Sequence, residues 1–172
     1  SQLKSEMAAE MAALFAFSAI SNNDKVGLVI FSDKVELSLP PKKGTRHVLR
    51  VIREVLSFRA QQPGTHIAAA LEHLSHVSKR RGVVFLISDF LDPGARLALK
   101  IANRRHDVIA VVLDDPREWS LPSIGLVEFQ DAETAEHVVL DTSSQRVRRA
   151  FAQRTEEARR ERTQMLRSVN VD

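Results

Sequence analysis

Two apolar runs separated by a helical segment constrain the fold of this chain more than any other feature. Residues 83–88 read VVFLIS and residues 108–113 read VIAVVL, and neither run alternates apolar with polar residues. Strands of this kind are typical of parallel sheets whose two faces are both covered by helices. The pattern therefore predicts a three-layer α/β fold with a mostly parallel sheet.

The segments before these runs continue the alternation of helices and strands. A stretch rich in Ala, Met and Leu over residues 3–20 predicts a helix, and the runs at 26–31 and 35–39, joined by Ser-Asp-Lys, predict a hairpin. Apolar residues at helical spacing predict one helix that Thr45 caps and another that begins at residue 65 or 66.

The segments after residue 88 predict a further helix, a second hairpin and a long basic helix. The first helix runs through Leu97, Leu99 and Ile101, the hairpin covers residues 126–142, and the basic helix covers residues 145–168. The last residues, SVNVD, resemble the beginning of another strand. Helical spacing predicts that four apolar residues of the basic helix pack inward: Val147, Phe151, Ala158 and Leu166.

Length and composition predict one globular domain over residues 1–172. The chain is 44% hydrophobic and 27% charged, which is too apolar for a disordered segment. It contains no cysteine, so disulfides, thiolate nucleophiles and Cys-based zinc sites are excluded. No apolar run approaches the roughly 18 residues of a membrane helix, and the start does not resemble a signal peptide, so we expect a cytoplasmic or cytoplasm-facing protein.

The net charge of +3 originates in the basic helix and the residues after it. Residues 145–172 hold eight of the 25 Lys and Arg residues but four of the 22 Asp and Glu residues. The even charge of the remaining chain argues against a broad phosphate-binding face, so we expect no nucleic-acid partner. The basic helix is interpreted as a solvated face with internal ion pairs, and contact of this helix with nucleic acid or anionic lipid is the alternative.

Polar residues follow each predicted buried strand at its carboxyl end. In open parallel sheets, ligands bind in the crevice at this edge. A carboxylate there requires a hydrogen bond or a cation to offset its desolvation, although Asp is also a common turn and capping residue. The residues are Ser32 and Asp33 after the first hairpin strand, Asp89 after VVFLIS, and Asp114 and Asp115 after the next strand.

A Gly-Thr loop adds a second element to this pattern. The segment PGTHIAAAL (63–71) places Thr65 in a loop before an Ala-rich helix, and the strand that ends at Asp89 follows that helix. This order resembles the von Willebrand factor A fold, a Rossmann-like fold with one antiparallel edge strand. The segments KSEMAAEMAALFAFSAISNNDKVGLVIFSD and KRRGVVFLISDF are similar to its bacterial branch, domain of unknown function 58 (DUF58). The resemblance extends from Lys4 to about Val112.

The resemblance implies a divalent-cation site of the kind called a metal-ion-dependent adhesion site. Thr65 would supply a hydroxyl and Asp89 a carboxylate, which are hard oxygen ligands suited to magnesium in the full-length protein. The family's third contributor, an Asp-x-Ser-x-Ser run on the first central strand, is missing from this chain, so we expect no metal to bind here. The implied partner-binding rim consists of Ser32, Asp33, Gly64 and His66.

The missing first strand would lie at the centre of the sheet in this fold. Its two neighbours would then lack a hydrogen-bonding partner along their whole length, and unpaired edges invite pairing with other strands. We therefore expect the C-terminal SVNVD segment or a strand of a second chain to fill the vacancy, and the second case would produce a homodimer.

By resemblance, the chain is a non-enzymatic protein-interaction module. Members of the DUF58 branch often accompany MoxR-type AAA+ ATPases, which implies such an ATPase or its client as partner in complex assembly or metal insertion. The enzyme alternative is a magnesium-dependent phosphohydrolase or nuclease that uses Asp33, Asp89 and Asp114. A zinc site on the helix that carries several His residues is disfavoured, because no Cys or closely spaced carboxylate completes a tetrahedral set.

Overall fold

A computed structural model describes residues 2–59, 64–92, 94–115, 118–130 and 137–171 of the chain. Helices and strands alternate in these ranges in the order that the sequence predicts. The helices are α1 (Gln2–Ser21), α2 (Thr45–Ser57), α3 (Ile67–Val77), α4 (Ala95–Arg105) and α5 (Gln145–Ser168). The strands are β1 (Val26–Phe31), β2 (Val35–Lys42), β3 (Val83–Ser88), β4 (Asp107–Val112), β5 (Leu126–Gln130) and β6 (His137–Asp141).

The strands of the described residues form three separate two-stranded sheets. β1 pairs with β2 and β5 with β6 as antiparallel hairpins, whereas β3 and β4 are parallel, with Val83 opposite Asp107 and Ser88 opposite Val112. The short turn between β1 and β2 returns the chain antiparallel, whereas α4 between β3 and β4 returns it parallel. The mixed α/β class is confirmed. The predicted single, mostly parallel sheet differs from this arrangement, since no ladder joins β1 to β3 within the described ranges.

The parallel pair carries the larger hydrophobic core. Leu86 of β3 and Val108 of β4 are buried on one face of the pair, together with Ile67 of α3 and Leu99 of α4. Each such side chain contributes about 2 kcal/mol on leaving water. The covered face therefore fixes α3 and α4 relative to the strand ends that form the candidate site.

The C-terminal residues complete this core as a turn. Val169 and Val171 are buried in it, and the side-chain amide of Asn103 donates to the carbonyl oxygens of Val169 and Asn170. The prediction of a further strand is wrong for residues 168–171, which pair with neither β1 nor β3. This segment is held by packing against α4 and not by backbone pairing with a strand.

A second hydrophobic cluster lies where α2 covers the first hairpin. Leu39 of β2 is buried against Val48 and Val51 of α2. α1 contributes Ala16 to this cluster and reaches β3 through Phe15, which stacks on Phe85 with ring centroids 4.0 Å apart. The prediction of one domain over residues 1–172 stays a prediction. Among the described helices, none combines the length and apolar character of a bilayer-spanning segment.

The structure corrects the predicted cap of α2 and shows which side of α4 is buried. Gly44 takes the cap position of α2 with φ of 100°, so Thr45 is the first helical residue and its side chain forms no cap hydrogen bond. In α4, Leu97 and Ile101 are exposed because residues two positions from buried Leu99 lie on other sides of a helix. The buried side of α4 also includes Ala95 and Ala102.

Candidate functional site

Three loops meet at the carboxyl ends of β1 and β3. The backbone N–H of His66, just before α3, donates to the carbonyl oxygen of Ser32, just after β1, at 2.7 Å. The backbone N–H of Ile67, the first residue of α3, donates to the carboxylate of Asp92, in the loop after β3, at 2.9 Å. We call the surface formed by residues 32–34, 64–66 and 88–92 the strand-end crevice.

The Gly-Thr loop approaches the first hairpin closely. Gly64 has φ of +104°, a conformation that L side chains rarely adopt. A Cβ at this position would lie 3.6 Å from the Cβ of Asp33. Asp33 also accepts a hydrogen bond from the buried Ser32 hydroxyl at 3.0 Å. Glycine at position 64 therefore allows the turn that brings this loop against the hairpin.

Asp92 caps α3 across 25 residues of sequence. Its Oδ2 accepts from the Ile67 N–H, and its Oδ1 accepts from the Gly94 N–H at 2.8 Å. The first N–H groups of a helix lack intrahelical partners and form its positive end, so a carboxylate is stabilised there. His66 occupies the local cap position but forms no side-chain cap hydrogen bond. Asp92 therefore fastens the loop after β3 to the Gly-Thr loop.

The turn after β3 contains a backbone conformation that is unusual for a bulky residue. Phe90 has φ of 55° and is buried, with 3% of its surface exposed. Its N–H donates to the Ser88 hydroxyl at 3.2 Å. A left-handed conformation at a non-glycine residue costs on the order of 1–2 kcal/mol. Burial of the Phe90 ring in the larger core offsets this strain and holds the turn that presents Asp89.

The carboxylate of Asp89 faces a cation of the chain itself. The Lys4 ammonium, at the start of α1, lies 3.8 Å from Oδ2 of Asp89 and 2.5 Å from Oε2 of Glu118. Oδ1 of Asp89 accepts from the Leu91 N–H at 3.4 Å. The side chain of Lys4 is 14% exposed, so the ammonium is held within the crevice and balances both carboxylates.

A second charge group ties α5 to the strand ends. The guanidinium of Arg162 donates to the Asp89 carbonyl oxygen at 3.0 Å and to Oδ2 of Asp114 at 2.8 Å. Arg159 lies 3.8 Å from the same carboxylate and 4.6 Å above the ring of Trp119. The predicted inward residue Ala158 is exposed, and Arg162 is the buried residue of α5 instead. Its aliphatic stem packs while its head forms the ion pair.

The structure places the predicted rim residues in adjoining loops. Ser32, Asp33, Gly64 and His66 are joined by the hydrogen bond and the close approach described above. Thr65 is exposed between the last two of these residues, and Asp89 lies in the loop that Asp92 ties to them. Their roles as ligands or contact residues stay predictions.

The chemistry of this site does not by itself fit a magnesium ion. Magnesium requires near-octahedral coordination by six oxygens. The carboxylate of Asp89 lies beside the Lys4 ammonium, and the carboxylate of Asp114 lies beside the Arg162 guanidinium. Within the described ranges, no three His, Asp or Glu side chains are grouped to hold a metal ion. A metal ion held by Thr65 and Asp89 would therefore compete with the Lys4 ammonium for the Asp89 carboxylate.

Sequence reasoning missed Lys4, Asp92 and Arg162. Asp92 precedes Pro93 and Gly94 in a sequence typical of a turn, and its capping of α3 depends on tertiary contact. Lys4 is the only basic residue of the first helix, but its pairing with Asp89 depends on tertiary contact. Arg162 could have been found, because it continues the four-three-four spacing of Phe151, Thr155 and Ala158 along α5.

The histidines are dispersed over the fold, and several of them have local partners. His73 shares a hydrogen bond with the Ser38 hydroxyl at 2.8 Å, and His47 with the Val26 carbonyl oxygen at 2.9 Å. His106 differs, because it is 2% exposed and neither ring nitrogen has a hydrogen-bond partner among the described residues. Burial, followed by the positive charge of Arg105, lowers the pKa of His106 below its ordinary value.

These features define a mixed α/β domain with a polar crevice where its strand-end loops meet. The chain belongs to the family described as protein of unknown function DUF58, whose profile matches residues 1–162. An uncharacterised protein of Mycobacterium tuberculosis is 30% identical over 134 residues, which are 76% of this chain and 42% of the relative. An uncharacterised protein of Mycobacterium avium is 34% identical over 99 residues, which are 56% of this chain and 59% of the relative. The match thus spans less than two thirds of either relative.

Two crystal structures resemble the fold. One is an aerotolerance-related membrane protein from Bacteroides fragilis with multiple mutations to serines, and it matches 94% of this chain and 88% of its own with a TM-score of 0.54 and 17% identity. The other is a conserved hypothetical protein BatB from Bacteroides thetaiotaomicron, with the same coverages, a TM-score of 0.52 and 18% identity. At these identities the likeness concerns the fold alone.

Proposed function

We propose that this chain is a non-enzymatic protein-interaction module that binds its partner at the strand-end crevice. The observation that carries the proposal is the convergence of three polar loops, joined by the His66 to Ser32 and Ile67 to Asp92 hydrogen bonds. Loops on a rigid scaffold are the usual location of binding residues. The exposed side chains of Asp33, Thr65 and His66 give this surface groups that a partner can reach.

We further propose that the domain is of the von Willebrand factor A type and lacks a strand between β1 and β3. Each of these strands pairs on one side only in the described part of the chain. Val83 and Phe85 of β3 are 57% and 42% exposed, although apolar strands of α/β sheets are normally covered. An inserted strand would pair with the edges of β1 and β3 and join the β1–β2 and β3–β4 pairs into one sheet.

The proposed partner is a MoxR-type AAA+ ATPase or its client, in the cytoplasm or at its boundary. The association with such ATPases that the resemblance implies supports this proposal, and the chain belongs to the same family. A structural neighbour described as an aerotolerance-related membrane protein is compatible with work in a larger assembly. We also propose that a divalent metal ion takes part in partner binding, at a site where further ligands join Thr65 and Asp89. A second copy of the chain could supply the inserted strand, which would produce a homodimer.

The enzyme alternative lacks a supporting observation. It requires Asp33, Asp89 and Asp114 to share magnesium. Lys4 and Arg162 already neutralise two of these carboxylates, and Arg162 is buried in the position it holds. We therefore do not propose a phosphohydrolase or nuclease activity.

Affinity purification from the native host tests the proposed function. The full-length gene product is tagged, and partners recovered in 5 mM magnesium or in EDTA are identified by mass spectrometry; about 5 mM is chosen to saturate a weak site. The test variant reverses an exposed rim charge, Asp33→Lys. The matched control, Asp107→Asn, changes an exposed carboxylate at the opposite end of the parallel pair.

We expect an AAA+ ATPase with wild type and with Asp107→Asn, and its loss with Asp33→Lys. Recovery of the ATPase in magnesium but not in EDTA would also show that partner binding depends on a divalent metal ion. Equal recovery of the ATPase with Asp33→Lys would remove the crevice from the proposal. Absence of any AAA+ ATPase from the wild-type sample would remove the partner.

A further inference from the structure

The outer side of α4 combines exposed aliphatic residues with cations. Buried Ala95, Leu99 and Ala102 define the inner side of this helix. Leu97 and Ile101 lie one helical turn apart on the outer side, where they are 68% and 58% exposed. A surface helix of a globular protein normally presents polar residues there. We call the surface formed by Arg96, Leu97, Lys100, Ile101 and Arg104 the α4 face.

The α4 face carries positive charge that no acidic residue of the helix balances. The sequence of α4, ARLALKIANRR, contains four cations and no Asp or Glu. Arg96, Lys100 and Arg104 follow at intervals of four residues, so they form one row beside the two aliphatic residues, about 12 Å long. All three are exposed, and none has an ion-pair partner in the part of the chain that the structure describes. The α4 face therefore attracts an anionic surface.

The loop between α3 and β3 extends this positive surface at the end of α4. The guanidinium of Arg105 donates to the carbonyl oxygens of Ser75 and Lys79 at 3.2 Å and 3.1 Å. Arg80 and Arg81 follow directly in this loop, and both are exposed. The hydrogen bonds of Arg105 therefore hold two further cations close to the last turn of α4.

We propose that the α4 face docks on an anionic membrane surface. Leu97 and Ile101 enter the boundary between the lipid headgroups and the acyl chains, as the apolar residues of interfacial helices do. The cations of the α4 face stay at the level of the lipid phosphates, because their aliphatic stems are long enough to keep the charges hydrated. The α4 face is separate from the strand-end crevice, so this proposal does not depend on the proposed function.

The composition of the α4 face favours a lipid surface over a nucleic acid or an acidic protein. A nucleic-acid backbone neutralises cations but gives Leu97 and Ile101 no apolar medium to enter. A stable protein interface buries on the order of 800 Å² per partner around a well-packed centre, whereas here two aliphatic residues stand on a convex helix surface. A membrane surface needs no matching pocket and offers negative charge and an apolar interior together.

Sedimentation with lipid vesicles tests the charge contribution. The purified chain is mixed with vesicles of phosphatidylcholine alone or with an equal amount of phosphatidylglycerol, in about 0.1 M salt, where the Debye length is about 10 Å. The test variant carries Lys100→Glu and Arg104→Glu. The matched control carries Arg146→Glu and Arg149→Glu, which make the same change of net charge at exposed positions of α5.

We expect the chain to bind vesicles that contain phosphatidylglycerol and to bind pure phosphatidylcholine at least about tenfold more weakly. The reversal at Lys100 and Arg104 weakens binding to the anionic vesicles by at least about tenfold, because two attractive charges become repulsive. The α5 control changes binding by less than about threefold, because its charges act only through the screened field of the whole chain. Circular dichroism checks that every variant remains folded.

A second pair of variants tests the aliphatic contribution at constant charge. Leu97→Gln with Ile101→Gln keeps the size and helix propensity of the side chains and removes their apolar surface. Binding to the anionic vesicles falls by about fivefold. The matched control is Leu49→Gln with Leu56→Gln on α2, where the leucines are 53% and 58% exposed, and it changes binding by less than about twofold.

A fluorescent label reports which surface meets the lipid. The chain contains no cysteine, so Ile101→Cys provides a single site for a dye whose emission depends on the polarity around it. The emission of this label shifts to shorter wavelength when anionic vesicles are added. The same dye at Leu49→Cys, on α2, keeps its emission wavelength.

Four results would overturn the proposal. The first is no binding to anionic vesicles, and the second is equal loss of binding in the α4 and α5 charge variants, which would assign the binding to net charge. The third is an unchanged emission at Ile101→Cys on vesicles that do bind. The fourth is full binding by the Leu97→Gln and Ile101→Gln variant with displacement by polyglutamate, which would assign an acidic polypeptide partner. None of these results bears on ATPase recovery with Asp33→Lys, so the proposed function is tested separately.

Discussion

The guanidinium of Arg162 donates to the carboxylate of Asp114 at 2.8 Å and joins the middle of α5 to the carboxyl end of β4. The same guanidinium donates to the Asp89 carbonyl oxygen at 3.0 Å, so one buried side chain connects the ends of both parallel strands. The side chains of Arg162 and Asp114 are 8% and 26% exposed, which makes this an ion pair largely shielded from water. The pair therefore links the position of α5 to the geometry of the strand-end crevice.

Replacement of Arg162 by methionine is expected to lower the free energy of unfolding by about 2–3 kcal/mol. Methionine fills a similar volume but leaves Asp114 and the Asp89 carbonyl oxygen without the Arg162 hydrogen-bond donor. Removal of one partner of a buried ion pair is destabilising because the other charge stays buried without its partner. Arg162→Lys should cost less, because it keeps the charge and loses only the fork geometry. Urea unfolding measured by circular dichroism gives these values.

The exposed pair Arg160–Glu156 provides the control for Arg162. Arg160 is 77% exposed, and Arg160→Met should change the free energy of unfolding by less than about 0.5 kcal/mol. Equal losses for Arg160→Met and Arg162→Met would contradict the structural role of the buried pair.

Much of the fold follows from local pattern, but the contacts that assemble the crevice do not. The runs 26–31 and 83–88 are strands with the predicted bounds because continuous apolar residues have no other stable placement in this fold. The close approach of Gly64 to Asp33 also follows, once the order of the elements is inferred. Asp92 acts on α3 from 25 residues away, and the left-handed conformation of Phe90 depends on burial of its ring. Neither effect has a signal in neighbouring residues.

Replacement of Asp92 by alanine is expected to destabilise the domain by about 1 kcal/mol. The Ile67 N–H at the start of α3 would lose its acceptor and the positive end of the helix would lose its carboxylate. Amide hydrogen exchange should accelerate specifically at Ile67. A general loss of packing would instead accelerate exchange throughout the domain. Asp107→Ala, an exposed carboxylate at the other end of the parallel pair, is the control and should leave exchange at Ile67 unchanged.

Replacement of Lys4 by glutamine is expected to strengthen binding of divalent manganese at the crevice. The Lys4 ammonium lies 3.8 Å from Asp89 and 2.5 Å from Glu118, where it repels a second cation and occupies its place. The dissociation constant should fall by about fivefold, equivalent to about 1 kcal/mol for a partly exposed charge. Trp119 is the only tryptophan and lies beside Glu118, so its fluorescence reports the binding.

Lys25→Gln provides the matched control for Lys4, because Lys25 is exposed just beyond the opposite end of α1. It should leave the manganese affinity at the wild-type value. The same affinity for Lys4→Gln and wild type would show that Lys4 does not act as the resident cation of Asp89.

The buried ring of His106 is expected to make the domain less stable in mild acid. Burial and the neighbouring Arg105 lower the pKa of His106 in the folded state, whereas the unfolded chain keeps a pKa near 6.5. As pH falls through about 6.5, the unfolded state binds a proton that the folded state does not bind, and the free energy of unfolding decreases. Above about pH 7.5 both states are neutral at this position, and the contribution disappears.

His106→Phe removes the titrating group and keeps a ring of similar shape. Neither His106 nitrogen has a hydrogen-bond partner among the described residues, so the substitution leaves no donor or acceptor unpaired there. The unfolding midpoint in urea should therefore decline less between pH 7.5 and pH 5.5 for His106→Phe than for wild type, a window that spans the ordinary histidine pKa of about 6.5. His76→Gln, at an exposed position on α3, should retain the full wild-type decline. A decline of the same size in His106→Phe would assign the acid sensitivity to other groups, because the buried ring is then not the site of differential protonation.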